Sequence, residues 1–330
     1  MSEERYLITI NELEEMFQKL SKEYHVVAPT SKNGVIVFDF IEKFDQIKLD
    51  YIRTILPLKK FLFPNKEKLF EFQYEKKYVK VREENPSRKY AFFLIHPCDV
   101  NALKILDRIL NDKYIDEYYF RRRRESLIIT LECIKGDEYC FCESMGTDEP
   151  WKNSFDVLLH PLNEKEFLAI PGSAKGFKIL RDMRLKKTDL KKKRRRKNTL
   201  KISIEKIERI KNNVENQSWI EEANKCISCG ACTVVCPTCI CFGVRDLFKE
   251  PLRSGYRFRE WNSCIYSEFT RIAGNIVFRK EKVNRFKHRF YHKFVFIKER
   301  YDVYGCVGCG RCIAECINKI NIVEVINKIA

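Results

Sequence analysis

Two stretches near the C-terminal end decide the reading: Cys226-Ile-Ser-Cys229-Gly-Ala-Cys232-Thr-Val-Val-Cys236-Pro237 and Cys306-Val-Gly-Cys309-Gly-Arg-Cys312-Ile-Ala-Glu-Cys316. Each is C-x2-C-x2-C-x3-C. Three thiolates two residues apart on a tight loop grip one face of an iron–sulfur cube. A cubane needs four thiolates at the corners of a tetrahedron, and the last cysteine of each run points away as a helix begins. The fourth ligand must therefore come from the other run. This predicts one [4Fe-4S] cluster on Cys226, Cys229, Cys232 and Cys316, and a second on Cys306, Cys309, Cys312 and Cys236. Gly230 and Gly310 are expected to let backbone N–H groups approach the cluster sulfurs.

The spacing is that of the bacterial two-cluster ferredoxin. Structural zinc is the alternative, but zinc sites pair C-x2-C units across long spacers and take four ligands, whereas here eight fall in two matched runs.

The 330 residues give room for about two domains. With 45% hydrophobic and 13% aromatic residues the chain can build a core, which argues against disorder. Fifteen cysteines would suggest disulfides in a short secreted chain. The Met1-Ser-Glu-Glu-Arg5 start has no signal-peptide character, and no stretch approaches the roughly 18 apolar residues of a membrane span. The cysteines are read as ligands in a reducing, cytoplasmic setting, with no direct membrane insertion. The formal charge is +17. Two oxidised cubanes with their thiolates would remove about four units and reduction about two more. The remaining excess fits cations placed around the clusters and facing acidic partners better than nucleic acid, for which no fold signature is present.

Upstream, Ile10 to Tyr24 reads as an amphipathic helix with Leu13, Met16, Phe17 and Leu20 on one side and Asn11 as cap. Val26 to Pro29 and Gly34 to Phe40 read as strands. Pro57 to Tyr74 is aromatic-rich and of no clear type. Tyr90 to Ile95 is a continuous apolar strand running through His-Pro into a helix that opens at Cys98 and Asp99. A thiol at a helix N-terminus should have a lowered pKa. Leu127 to Cys133 repeats the buried strand ending on cysteine, Cys140-Phe-Cys142 follows, and Phe155 to Leu162 and Glu166 to Ile170 are further strands. Cys98, Cys133, Cys140 and Cys142 are the number one cubane needs. A third [4Fe-4S] cluster is the expectation there, with ordinary thiols or zinc as alternatives.

The run Lys186 to Lys197 is read as an exposed basic linker, and Arg121 to Arg124 as a smaller solvated run. Leu200 to Asn224 leads as helix into the first cysteine run, where Trp219 and Ile220 are placed to shield the cluster. Cys239, Cys241 and Cys264 lie outside the two sets and suit packing roles, since three thiols fall short of a cubane's four. The basic, aromatic segment Asn284 to Ile297 separates the runs. It should thread one half of the ferredoxin fold to the other, and His288 and His292 suit packing or solvent more than metal. The fold expected is α+β: a mixed α/β domain over residues 1–183, a basic linker over 184–199, and an expanded bacterial-type dicluster [4Fe-4S] ferredoxin domain over 200–330.

The sequence resembles the β subunit of archaeal cytosolic sulfhydrogenases, itself related to the iron–sulfur chain of anaerobic sulfite reductase. The resemblance rests on His96-Pro-Cys98-Asp-Val-Asn-Ala-Leu, Tyr139-Cys-Phe-Cys142-Glu-Ser-Met-Gly, the first cysteine run extended through Cys239-Ile-Cys241-Phe, Trp261-Asn-Ser-Cys264, His292-Lys-Phe and the second run. It covers nearly the whole chain in order. It implies a hetero-oligomer in which this chain passes electrons between a catalytic module and a flavin- and NAD(P)-binding reductase subunit. That module is a NiFe hydrogenase, entered through its small subunit, or a sulfite reductase catalytic subunit. Ile317 stands where the family pattern has proline after the last ligand, and the basic run at Lys186 is not a family feature. No dinucleotide or phosphate loop is present, so no substrate site or catalytic residue is expected in the chain itself. A zinc-bearing, basic nucleic-acid-binding protein is the reading from another class. Purified protein should be brown and bleach with dithionite; colourless, zinc-loaded protein would reverse the choice.

Overall fold

The computed structural model describes residues 4–83, 88–192 and 200–330. Twelve strands lie among them: β1 (Tyr6–Thr9), β2 (His25–Lys32), β3 (Val35–Phe40), β4 (Lys66–Tyr74), β5 (Val79–Glu83), β6 (Tyr90–Ile95), β7 (Leu127–Leu131), β8 (Val157–Pro161), β9 (Glu166–Pro171), β10 (Lys186–Lys187), β11 (Phe242–Lys249) and β12 (Ser254–Trp261). Eight of them form one sheet in the order β10-β1-β9-β8-β7-β6-β2-β3. The β2/β6, β6/β7 and β7/β8 pairs are parallel and the others antiparallel.

The continuous apolar runs of β6 and β7 are wholly buried, as a sheet covered on both faces requires. Ala91, Phe93, Ile129 and Leu131 join one core beneath the helix Ile10–Leu20. Tyr90, Phe92 and Ile128 join the opposite core, with Leu103 and Leu106 of the helix Pro97–Ile109. The first helix is capped by Thr9 rather than Asn11, because Thr9 and Glu12 complete a reciprocal capping box two residues earlier. The untyped segment resolves into a helical turn, Lys59–Leu62, and strand β4.

The second sheet joins the two halves of the chain. Its order is β11-β12-β4-β5, so strands from between the cysteine runs pair antiparallel with strands from the first half. A buried ion network fixes the seam. Glu67 of β4 accepts from Arg259 Nε of β12 at 2.7 Å and pairs with Arg122, while Arg259 also pairs with Asp116. This corrects the reading of Arg121 to Arg124 as solvated. Arg122 is buried and Arg123 pairs with Asp107, so only Arg121 and Arg124 face outward, where they meet Glu83 and Glu117. The Lys186 run also begins as an edge strand against β1. Its Lys193 to Lys197 portion lies outside the described residues.

The C-terminal edge of β6 and β7 faces the second cysteine run. Cys98 opens the helix after β6, and the loop after β7 carries Cys133, Cys140 and Cys142. Phe141 N donates to Gly308 O at 2.8 Å and Thr147 Oγ1 to Val307 O at 2.6 Å. Gly308 and Gly310 have φ of +64° and +74°, and a Cβ on either would lie 2.5–2.6 Å from backbone atoms of Phe141 or Tyr139. Only glycine allows both the turn and this approach. Behind them Arg311, fully buried, pairs with Asp99 at 2.7 Å and bonds Thr54 O and Oγ1.

Glu67→Leu should leave Arg122 and Arg259 buried without their shared carboxylate and cost about 3–5 kcal/mol. A urea denaturation curve should show the midpoint falling accordingly; an unchanged midpoint would remove the seam from the account.

Candidate metal centre

The two cysteine runs are conformational copies of each other. Ser228 and Gly308 take φ of +59° and +64°, Gly230 and Gly310 take +77° and +74°, and each glycine opens one helical turn, Ala231–Val234 or Arg311–Ala314. A left-handed residue after the first two ligands curls the loop so that three thiols face one side. The N–H groups that reach sulfur come from Ser228 to Cys226 at 3.4 Å, Gly308 to Cys306 at 3.5 Å and Ile320 to Cys316 at 3.3 Å. Gly310 also lets the Arg311 N–H reach Cys309, and Gly230 permits close packing, since a Cβ there would lie 2.5 Å from the Tyr266 hydroxyl.

Two cavities lie between the runs. One is lined by Cys226, Cys229, Cys232, Cys312 and Cys316, with Phe286, Phe290 and Arg289. The other is lined by Cys236, Cys306, Cys309 and Cys312, with Phe141, Arg289 and Lys293. The last cysteine of each run thus reaches the cavity faced by the other run's first three. The thiols ring these spaces rather than meeting at a point. Among the described residues no three His, Cys, Asp or Glu side chains converge closely enough to hold a single metal ion.

The cavities differ in exposure. Cys229 is exposed, and Ile227 and Ile317 beside it are 57% and 68% exposed. Cys236 and Cys309 are buried, the latter with Val307 beneath the first half of the chain. Trp219 is buried behind Phe286 and Phe290, 5.3 Å from the Phe290 ring centroid, and Ile220 is exposed. The shield expected of Trp219 and Ile220 is therefore made by the two phenylalanines.

Burial dominates the thiol electrostatics. It pushes Cys306 up to about 12 and Cys232 up to about 11. Iron binding, which requires thiolates, would accordingly release protons. Among the thiols of the two runs Cys236 is lowered instead, held well below the usual thiol range by a hydrogen bond from Cys239 and by Lys293 and Lys59. Lys293 Nζ lies 3.0 Å from Cys236 Sγ, 3.0 Å from Thr238 Oγ1 and 2.9 Å from Gly305 O. Burial opposes its charge, but the neighbouring cysteines outweigh that and hold it protonated. It projects from a π-helical segment, His292–Phe296, a distortion that often marks functional sites. Arg289 is also buried, and its Nε has no partner. A negatively charged group with acceptor atoms in the cavities would satisfy these cations, and a thiolate-held cubane fits that description.

Arg289, Lys293 and Lys59 escaped the sequence reading because they sit in basic, aromatic segments with no motif. The spacing of Arg289 and Lys293, i and i+4 before the second run, was the available signal. Lys59, buried, donates to Cys239 O at 2.6 Å and lies 4.4 Å from the Trp261 ring. His288 and His292 stack 5.6 Å apart, and burial pushes both down to about 4, which makes them neutral packing groups.

Of the first-half cysteines, Cys98 packs with Cys309 and Val307, Cys140 Sγ lies 3.9 Å from Cys309 O, and Cys142 is buried next to Phe141. Cys133 is partly exposed and donates to Lys135 O at 3.0 Å. The Cys98 thiol is pushed well up, by burial first and by Asp99 second, so the helix N-terminus does not lower it as expected. Cys239 and Cys264 are buried, and Cys241 is half-buried.

Comparison with known proteins agrees with this geometry. Two family profiles, both described as a 4Fe-4S dicluster domain, match residues 225–320 and 182–240. Sulfhydrogenase 2 subunit beta of Pyrococcus furiosus is 33% identical over 328 residues, spanning 96% of this chain and 95% of the relative. The chain belongs to the sulfhydrogenase β subunit family. No solved structure matches. The fold is α+β with a C-terminal 4Fe-4S dicluster region, and a sulfhydrogenase β chain of this kind is an iron–sulfur electron-transfer subunit. Among the described residues no helix is long and apolar enough to cross a membrane.

Cys241 is lowered to about 7 by a hydrogen bond from Cys264, against burial, with Lys293 and Lys59 adding to it. With clusters in place, its alkylation followed by mass spectrometry should rise through pH 7 and outpace that of Cys239 and Cys264. Equal labelling of all three, rising only near pH 9, would contradict this.

Proposed function

We propose that this chain is the electron relay of a hydrogenase complex. Cys226, Cys229, Cys232 and Cys316 hold one [4Fe-4S] cluster, and Cys306, Cys309, Cys312 and Cys236 hold the other. The observation that carries the reading is the pair of cavities between two conformationally matched runs, each lined by three thiols of one run and the last thiol of the other. The clusters supply one-electron storage. The chain's own residues set spacing, exclude water and balance charge: Phe286 and Phe290 wall the first cavity, and Phe141, from the first half, walls the second.

The name of the Pyrococcus furiosus relative supports a hydrogenase partner over a sulfite reductase. On this reading a flavin- and NAD(P)-binding subunit stands at one end of the relay. At the other end stands a NiFe hydrogenase small subunit, the whole forming a cytoplasmic hetero-oligomer. A small part of the positive charge is turned inward, where Lys59, Arg289 and Lys293 are buried beside the cysteines; the matched cysteine runs, rather than this, weigh against the nucleic-acid reading. We propose the division into residues 1–183, 184–199 and 200–330 as one of sequence, with the second sheet binding the halves together.

A third cluster on Cys98, Cys133, Cys140 and Cys142 is supported by the gathering of three of the four near Cys309. Reconstituted protein should then hold about twelve iron atoms per chain, falling to about eight on replacing Cys140 and Cys142 by serine; about eight in the unaltered chain would eliminate the third cluster. For the relay itself, the isolated chain should accept electrons from dithionite and pass them to an artificial acceptor without consuming hydrogen or sulfite. Turnover of either by the chain alone would overturn the proposal.

A further inference from the structure

Arg289 lies between the two cavities and lines both, whereas Lys293, one turn further on, lines only the second. The guanidinium is 6% exposed. Its Nη2 donates to Cys232 O at 3.3 Å, and its Nε has no partner. The other buried arginines near the runs have their charge met inside the protein: Arg311 pairs with Asp99, although its Nη1 also has no partner, and Arg285 donates to the carbonyls of Ile265, Arg279 and Lys280. No ion pair to a carboxylate is found for Arg289 among the described residues, and the groups that act on its charge are cysteines of both sets, Cys232 and Cys312 first, then Cys239 and Cys236. A buried cation with an unpaired donor is costly unless negative charge faces it. Here the sources of that charge are the two cavities on either side.

We propose that Arg289 is a positioning cation shared by both clusters, raising their reduction potentials together, while Lys293 acts on the second alone. The inference rests on the reading that the cavities hold [4Fe-4S] clusters. Each reduction adds one electron and no proton, so the reduced state carries one more negative charge. A fixed cation in a low-dielectric site stabilises that state more than the oxidised one and raises the potential. Because one guanidinium faces both sites, removing it must move both in the same direction. Such sharing moves the two potentials together, whereas Lys293 sets the difference between them.

The test is an EPR-monitored redox titration of the whole chain as wild type, Arg289→Gln and Lys293→Gln, with iron and spin counted in each. Both midpoints should fall in Arg289→Gln, and only one in Lys293→Gln. With both clusters intact in Arg289→Gln, midpoints that stay put, or a shift confined to one of them, would overturn the proposal. If that variant does not assemble both clusters, Arg289→Lys is read instead. A compact ammonium cannot face both cavities as the planar guanidinium does, so at least one midpoint should fall, and two unmoved midpoints would overturn the proposal. Absence of any [4Fe-4S] signal in the wild type would instead strike the underlying cluster reading, and the two failures are thus distinguishable.

Discussion

A loop carrying three thiols two residues apart closes over one face of a cube and cannot reach the far corner. That limit governs the rest of the molecule. It requires a second run at the right distance, with its last cysteine turned back toward the first run. The helix Lys282–Tyr291 and its π-helical extension lie between the runs in sequence and against both cavities in space, supplying Phe286, Phe290, Arg289 and Lys293. The first half of the chain then seals the second cavity through Phe141, through Ala102 and Ile105 packed on Val307, and through the Asp99–Arg311 pair. The first cavity keeps an exposed edge at Cys229. The structure is therefore asymmetric around two nearly identical loops.

Charge follows from the same constraint. On the proposed reading, eight thiolates and two clusters would gather negative charge between the runs, and the chain places buried Arg289, Lys293 and Lys59 beside them rather than a positive surface alone. Burial raises Cys232, Cys306 and Cys309, and binding iron would release their protons. Cys236 stands apart because Cys239 and Lys293 favour its thiolate in advance.

The cysteine runs were legible because ligand spacing is local: two residues between thiols is a property of the loop itself. Strands β6 and β7 were legible because wholly buried parallel strands leave unbroken apolar runs. What escaped the sequence depends on distant partners. The pairing of β12 with β4 joins residues nearly two hundred positions apart, and nothing in Glu67 or Arg259 alone announces the other. Arg121 to Arg124 looked solvated because a run of like charges usually is, and only the fold shows that its second and third members turn inward. The cap is Thr9 rather than Asn11 because the reciprocal Glu12 bond decides between two candidates two residues apart. The lowered thiol expected at Cys98 gave way to burial, which outweighs a helix end in a packed interior.

Anomalous scattering at the iron edge from crystals of the intact chain tests the central claim most directly. The account predicts two four-iron peaks between the runs, one ringed by Cys226, Cys229, Cys232 and Cys316, the other by Cys306, Cys309, Cys312 and Cys236. Single-atom peaks of zinc, or a cluster bonded to all four cysteines of one run, would contradict it.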